Sequence, residues 1–335
     1  MSIPFETFRQ ALLQAVRNAK RTARHANVHL VYCPELHDPL QLVADETRVT
    51  AHMRSPGTQR EAASVHAHAP RLVTLDCRRV AAYFLESDPA LDDPLFEASI
   101  TQSYAETCLG DAPAAEIDNS DPHLSGASVG GWIVTQESAH EFSRRLNNFA
   151  NSGPNRRRTA IRWTDRTVMS SLWPTLTKEQ CTSLLGDASW FVHDLQGKLH
   201  HYAADKFVQA EHSIPIATSL DAVQSQTLQN VALVRELLPK WQEISEQAGT
   251  QLPNDAERRL HAYVRAAQTY GLDAESVAIY AMTAVQLKDE ATADPEWIKL
   301  MTHVAYNGLL LRDLMDKLSD DFWNRYYSSS SESNV

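Results

Sequence analysis

The pentapeptide Gly126-Ala-Ser-Val-Gly130 fits the G-x-S-x-G pattern, in which a serine on a strained strand-to-helix turn attacks an acyl carbon. Asp165 or Asp194, with His200 or His201, supply a downstream acid and histidine. The context is inverted, because an acidic loop precedes Ser128 and a strand-like run follows it. A second chemistry would use imidazoles. His66-Ala-His68, with His193 and His200-His201, offers zinc-ligand types, but no cysteine or carboxylate joins them at zinc-site spacing. The plainer reading is a loop serine and solvated loop histidines. No catalytic residue, metal or cofactor is then expected, and the alternative is a serine hydrolase using Ser128 or a His-based metal-dependent enzyme.

Arg156-Arg-Arg158, with Arg144, Arg145 and Arg162, makes a basic patch that could grip an acidic partner, or simply a solvated strand entry. Arg162 and Asp165 stand three apart at a strand end and read as a structural ion pair tying strand to helix. Trp132, Trp163, Trp173 and Trp190 read as core.

The elements that must position these residues follow from composition and period. The 335 residues are 43% hydrophobic and 22% charged, the balance of a globular protein with room for two cores. A net charge of -11 excludes a general affinity for nucleic acid and favours basic or apolar partners. The 11 glycines fall well below the usual fraction of about 7%, and neither GxGxxG nor GxxxxGK[ST] occurs. Four scattered cysteines suit a reducing compartment. No stretch approaches the roughly 18 apolar residues of a membrane span, and the first residues lack a secretory signal. A cytoplasmic protein with no membrane partner is expected.

Phe5, Phe8, Leu12, Val16 and Ala19 share one face of a helix over 5–26. Val28, Leu30 and Tyr32 alternate as a half-buried strand, and 70–76 is a second strand. Helices are expected over 79–86 and 93–107, the latter with Asp93-Pro94 in the N-cap and N1 roles. Acidic residues 110–128 form a loop. A strand over 131–135, a helix over 138–150 and a strand over 158–163 come next. Helices over 167–176 and 177–185 follow, the second opened by a Thr177–Gln180 capping box. A hairpin turns at Gln196-Gly197.

From Thr218 onward the periodic segments are all helical, with a capping box at Thr218–Asp221, a kink at Pro239 and a stop at Gly271. Asp273 and Asp294-Pro295 open further helices. The fold class is thus an α+β or α/β lobe with a small mixed sheet flanked by helices (1–212), then an all-α lobe (213–327) and a disordered tail (328–335).

The segment from Ala69 to Tyr202 resembles the type VI secretion adaptor and effector-chaperone family, a domain of unknown function. The likeness is carried by Ala69-Pro-Arg-Leu-Val-Thr-Leu75, by Gly131-Trp-Ile-Val-Thr with Ser138 and Leu146, and by Arg162-Trp-Thr-Asp165 with Val168 and Leu172. Thr177-Lys-Glu-Gln180, Leu185-Gly186 and Trp190 continue it in the same order. One departure is the loss of a proline after Asp165, which displaces the family's arginine by one position, to Arg166. The resemblance implies a non-enzymatic chaperone or adaptor. It would bind the N-terminal region of a secreted toxin and promote its loading onto the valine-glycine-repeat spike protein.

For such a partner the helical lobe offers Leu309, Leu310 and Leu311, and Phe322 with Trp323. Three successive leucines cannot share one side of a helix with about 3.6 residues per turn. At least one is expected to face a partner or the other lobe, as helix-in-groove recognition requires.

Overall fold

A computed structural model describes residues 3–23, 26–34, 39–40, 50–53, 70–76, 90–107, 127–150, 161, 163–194, 197–204, 220–253, 255–287 and 289–327. The chain forms two compact units, 1–228 and 229–335, so the division falls later than the 212/213 boundary expected from texture. Several expectations lie outside the described residues: the helix at 79–86, the loop at 110–128 up to residue 126, and the tail.

The first unit is α+β. Among the described residues its sheet has six strands in the order β2-β3-β1-β4-β5-β6. These are β1 (Asn27–Tyr32), β2 (Thr50–His52), β3 (Arg71–Leu75), β4 (Val129–Thr135), β5 (Ser189–His193) and β6 (Leu199–Ala203). Every pairing is antiparallel, so the sheet is not mixed. The reason lies in β1. The crossover between β3 and β4 joins strands that run the same way, as a crossover must. β1 lies between those two strands and runs against both.

One face of the sheet is covered by α1 (Phe5–Thr22) and α2 (Pro94–Ala105). Phe8, Leu12 and Val16 of α1 and Phe96 and Ile100 of α2 pack on Val28, Leu30, Trp132 and Phe191. Arg9 ties the two helices through Glu97 at 2.6 Å. The opposite face lies under α3 (Ala139–Ala150), α4 (Arg166–Leu172) and α5 (Lys178–Leu185), where Trp163 stands 6.1 Å from Trp190 and Trp173 5.5 Å from Tyr202. Covered on both sides, β1 is buried along both faces rather than half-buried. Its one imidazole, His29, is satisfied by Thr74 Oγ1 at 3.1 Å and the Glu137 carbonyl at 3.0 Å.

Local signals set the helix ends. Asp93 caps α2 by accepting from the Leu95 N–H at 2.9 Å. Ser138 and Glu141 form a reciprocal capping box on α3, as do Thr177 and Gln180 on α5. The strand expected over 158–163 is not found where it is described: Ile161 has no regular structure, and Trp163-Thr164 turns directly into α4. Trp163 is apolar because it packs over the sheet, not because it belongs to it. Gly130 is required where β4 passes beneath this turn, since a Cβ there would meet Thr164 Cα at 2.7 Å.

The second unit contains, among the described residues, helices only. α6 (Ala222–Gln247) begins in the first unit, where Gln224 Nε2 donates to the Thr175 carbonyl at 2.7 Å. Its capping box joins Asp221 and Gln224, three residues beyond the expected one, whose Thr218 lies outside the described residues. The helix continues through Pro239. α7 (Ala256–Thr269), α8 (Ala274–Ala284), α9 (Pro295–Asn307) and α10 (Asp320–Tyr326) follow. Asp273, Asp294 and Ser319 cap the last three of these. Tyr280, Trp297 and Phe322 form an aromatic spine, with Trp297 stacked on Phe322 at 6.0 Å.

Candidate functional site

The serine of the G-x-S-x-G run lies in a polar knot at one end of the sheet. Ser128 stands at the start of β4 and is 3% exposed. Its hydroxyl donates to Glu106 Oε1 at 2.5 Å, and its N–H donates to the same oxygen at 2.9 Å. Glu106 is the C-cap residue of α2. Its carboxylate also accepts from Gln102 Nε2 at 2.8 Å, from the Val129 N–H at 3.3 Å and from Arg166 Nη2 at 2.6 Å.

Arg166, the first residue of α4, spends its remaining donors on the Val129 carbonyl at 2.9 Å and the Ser103 carbonyl at 3.2 Å. The two side chains are 3% and 13% exposed. Burial pushes the guanidinium down from its ordinary range, and the carboxylates of Glu106, Asp194 and Asp165 oppose that. An arginine stays charged in such a setting. Three segments distant in sequence are therefore locked by one buried ion pair.

This geometry is unsuited to acyl transfer. A nucleophilic serine needs an exposed hydroxyl whose proton is taken by an oriented base. Ser128 is buried, precedes a strand rather than following one, and gives its proton to a carboxylate already holding four other donors. His200 Nε2 faces Asp194 Oδ2 at 2.8 Å, and Asp165 caps α4 by accepting from the Thr167 N–H. His201 stacks on Phe191 at 4.6 Å.

His66 and His68 lie outside the described residues, and among those described no three His, Cys, Asp or Glu side chains converge as a metal site. His193 stacks on Phe8 at 3.5 Å, and among the described residues neither of its ring nitrogens has a hydrogen-bond partner. Burial, then the charges of Arg166 and His200, push it down to about 2.

Of the basic patch, Arg145 pairs with Glu137 and Arg144 is exposed, while Arg156, Arg157, Arg158 and Arg162 lie outside the described residues. The Arg162–Asp165 pair is thus described only at Asp165. The ion pair that does tie the helix layer to the strand ends, Arg166–Glu106, escaped the sequence reading. Glu106 carries no periodic or spacing signal.

In the helical unit the residues expected to meet a partner separate. Gly308, at φ 61°, ends α9 in a Schellman turn, with the Leu309 N–H bonded to the Val304 carbonyl at 3.1 Å. The three leucines therefore follow the helix instead of belonging to it. Leu309 is 39% exposed, Leu310 half-buried and Leu311 0% exposed. Phe322 is core and Trp323 half-buried against it, so neither Leu311 nor Phe322 is a contact surface. Among the described residues of this unit the exposed apolar side chains are Ile298 and Tyr306, two turns apart on α9, Leu309 beyond the turn, and Tyr327 after α10. Tyr306 is 89% exposed. No described helix is long and apolar enough to cross a membrane.

Comparison with protein-family models, with curated proteins and with solved structures finds no match to this chain.

Proposed function

We propose that the chain is a non-enzymatic adaptor. It binds the N-terminal region of a type VI secretion toxin and promotes its loading onto the valine-glycine-repeat spike. The reading begins from the sequence resemblance over 69–202. The observation that carries its non-catalytic half is the Ser128 hydroxyl, buried and held by Glu106 beneath Arg166. The only motif in the chain with a nucleophile's spacing thereby has a structural task. Exposed Ile298, Tyr306 and Leu309 supply apolar surface of the kind a binding protein uses, and the net charge of -11 favours a basic or apolar partner over nucleic acid.

Co-expression of the full chain with its genomic neighbours tests the proposal. A toxin encoded nearby is expected to co-purify with the tagged chain, and Ser128→Ala is expected to retain it equally. Labelling of Ser128 by a fluorophosphonate probe, or loss of toxin delivery in a normally folded Ser128→Ala protein, would overturn the reading in favour of a hydrolase.

A further inference from the structure

β6 is an edge strand, and among the described residues no strand pairs with its outer rim. It pairs antiparallel with β5, His200 opposite Val192 and Tyr202 opposite Trp190. Where the hairpin closes, the Asp194 N–H donates to the Lys198 carbonyl at 3.0 Å. Backbone groups of an antiparallel pair alternate between facing the neighbour and facing away. Lys198, His200 and Tyr202 therefore direct theirs at β5, and Leu199, His201 and Ala203 direct theirs outward. Among the described residues no hydrogen bond from another segment reaches those outward groups.

Native sheets ordinarily guard an edge by shortness, lysine, proline, a bulge or a covering segment. The opposite edge strand, β2, has only three residues. β6 has five, Leu199-His-His-Tyr-Ala203, with no lysine or proline inside it and an unbroken register with β5. On one face of this rim lies exposed His201, stacked on Phe191. On the other lies Tyr202, with Trp173 at 5.5 Å. A strand laid alongside would find the exposed His201 ring on one side and half-buried Trp173, over buried Tyr202, on the other.

We infer that β6 accepts an extended segment of a partner protein as an added strand, through the outward backbone of Leu199, His201 and Ala203. The segment is uncharged to basic, with alternate apolar side chains. This rests on reading the chain as a protein-binding adaptor, and it says where and in what form the partner is held. Two observations favour a peptide segment over a second copy. The net charge of -11 opposes bringing two copies edge to edge. A five-residue strand also rises only about 17 Å, and pairing over that length buries far less than the ~1,200 Å² that two folded copies need.

The probe is a fluorescein-labelled peptide of alternating lysine and valine, titrated against the full chain, with alternating glutamate and valine as its acidic counterpart. Binding of the lysine peptide is expected to slow amide exchange at Leu199, His201 and Ala203, while His200 and Tyr202 are protected with or without it. His201→Pro removes one outward N–H, which an edge strand tolerates because the ladder does not use it. It should leave the melting temperature near wild type and weaken the peptide by about tenfold.

Four results would overturn the inference. These are unchanged exchange at saturating probe, equal slowing by the acidic peptide, unaltered affinity in a folded His201→Pro protein, and concentration-dependent protection without peptide. The last would assign the edge to a second copy. Should His201→Pro not fold, the exchange pattern of the wild-type chain decides alone. A chain that retains its toxin on co-expression yet fails here keeps the adaptor reading and loses the strand edge.

Discussion

The two units solve the burial of polar groups in opposite ways. In the sheet unit a charged pair, Arg166–Glu106, is taken out of water and joins the ends of α2, β4 and α4. In the helical unit Asp273 and Asp294 serve first as caps at their helix starts, and Asp294 also accepts from the Tyr326 hydroxyl at 3.0 Å beside half-exposed Arg325. The long-range polar contacts there include the exposed Arg312–Glu275 pair at 2.8 Å and the partly exposed amide pair Asn230–Gln268. A buried ion pair is costly to break because the surviving charge has no water to turn to. An exposed one is cheap to lose because water replaces the partner. The first unit therefore depends on the chemical identity of a few side chains. The second depends on shape and on caps.

The largest expected effect tests that contrast directly. Glu106→Gln keeps the shape but leaves Arg166 buried without its counter-charge, and should cost about 3–5 kcal/mol in urea unfolding. Arg312→Ala, across the exposed pair, should cost less than about 1 kcal/mol. Equal costs for the two would end the distinction between the units. A step smaller is Ser128→Ala. It removes one donor to a carboxylate that keeps its others, so a loss of about 1.5–3 kcal/mol is expected with toxin binding preserved.

Acidification sharpens the comparison, because each unit buries a neutral histidine. Burial, with Arg166 and His200, pushes His193 down to about 2; burial, with Arg265, pushes His261 down to about 4. Both folded values lie below the ordinary 6.5, so the folded chain favours the neutral ring. The stability this carries is complete above pH about 6.5 and is lost as pH falls below it. Each histidine should remove about 2 kcal/mol between pH 7 and pH 5. Below pH about 4 the loss from His261 levels off, while His193 continues at about 1.4 kcal/mol per pH unit. His193→Phe should flatten the acid limb of the sheet unit. A variant curve parallel to wild type would show that His193 is not the group that titrates.

What could be read from sequence was whatever is decided within a turn of chain. Asp93-Pro94, Thr177–Gln180, Asp273 and Asp294-Pro295 each place a cap and its recipient N–H within three residues, and each marks a real helix start. Glu106 works across 22 residues to Ser128 and 60 to Arg166, separations that leave no mark on local pattern. β1 misled because its alternation predicts one solvated face, whereas helices cover both. Ile161 and Trp163 misled in the other direction, since an apolar run buried over a sheet reads like a strand within it. At the candidate partner surface the deciding residue was Gly308. A glycine after a completed stripe is a stop signal, and carrying the helix past it placed Leu309, Leu310 and Leu311 on a surface they do not share.

The smallest expected effect concerns those leucines. Leu311 opens a 3-10 turn, is wholly buried, and its N–H donates to Ser276 Oγ at 3.0 Å, which pins the turn to α8. Leu309 is two residues earlier and 39% exposed, beside exposed Gly308 and Asn307. Its backbone N–H closes the Schellman turn whatever side chain it bears. Leu309→Ser removes only part-covered apolar area and disturbs no hydrogen bond, so the free energy of unfolding should stay within about 1 kcal/mol of wild type. The same change at Leu311 would place a hydroxyl in the core of the helical unit and should be far worse. If Leu309→Ser instead lowers stability by more than about 1 kcal/mol, and does so in a concentration-dependent way, then Leu309 is covered in solution by another chain. The leucine run would then regain the partner role its sequence suggested, through the turn after α9 rather than through a helix face.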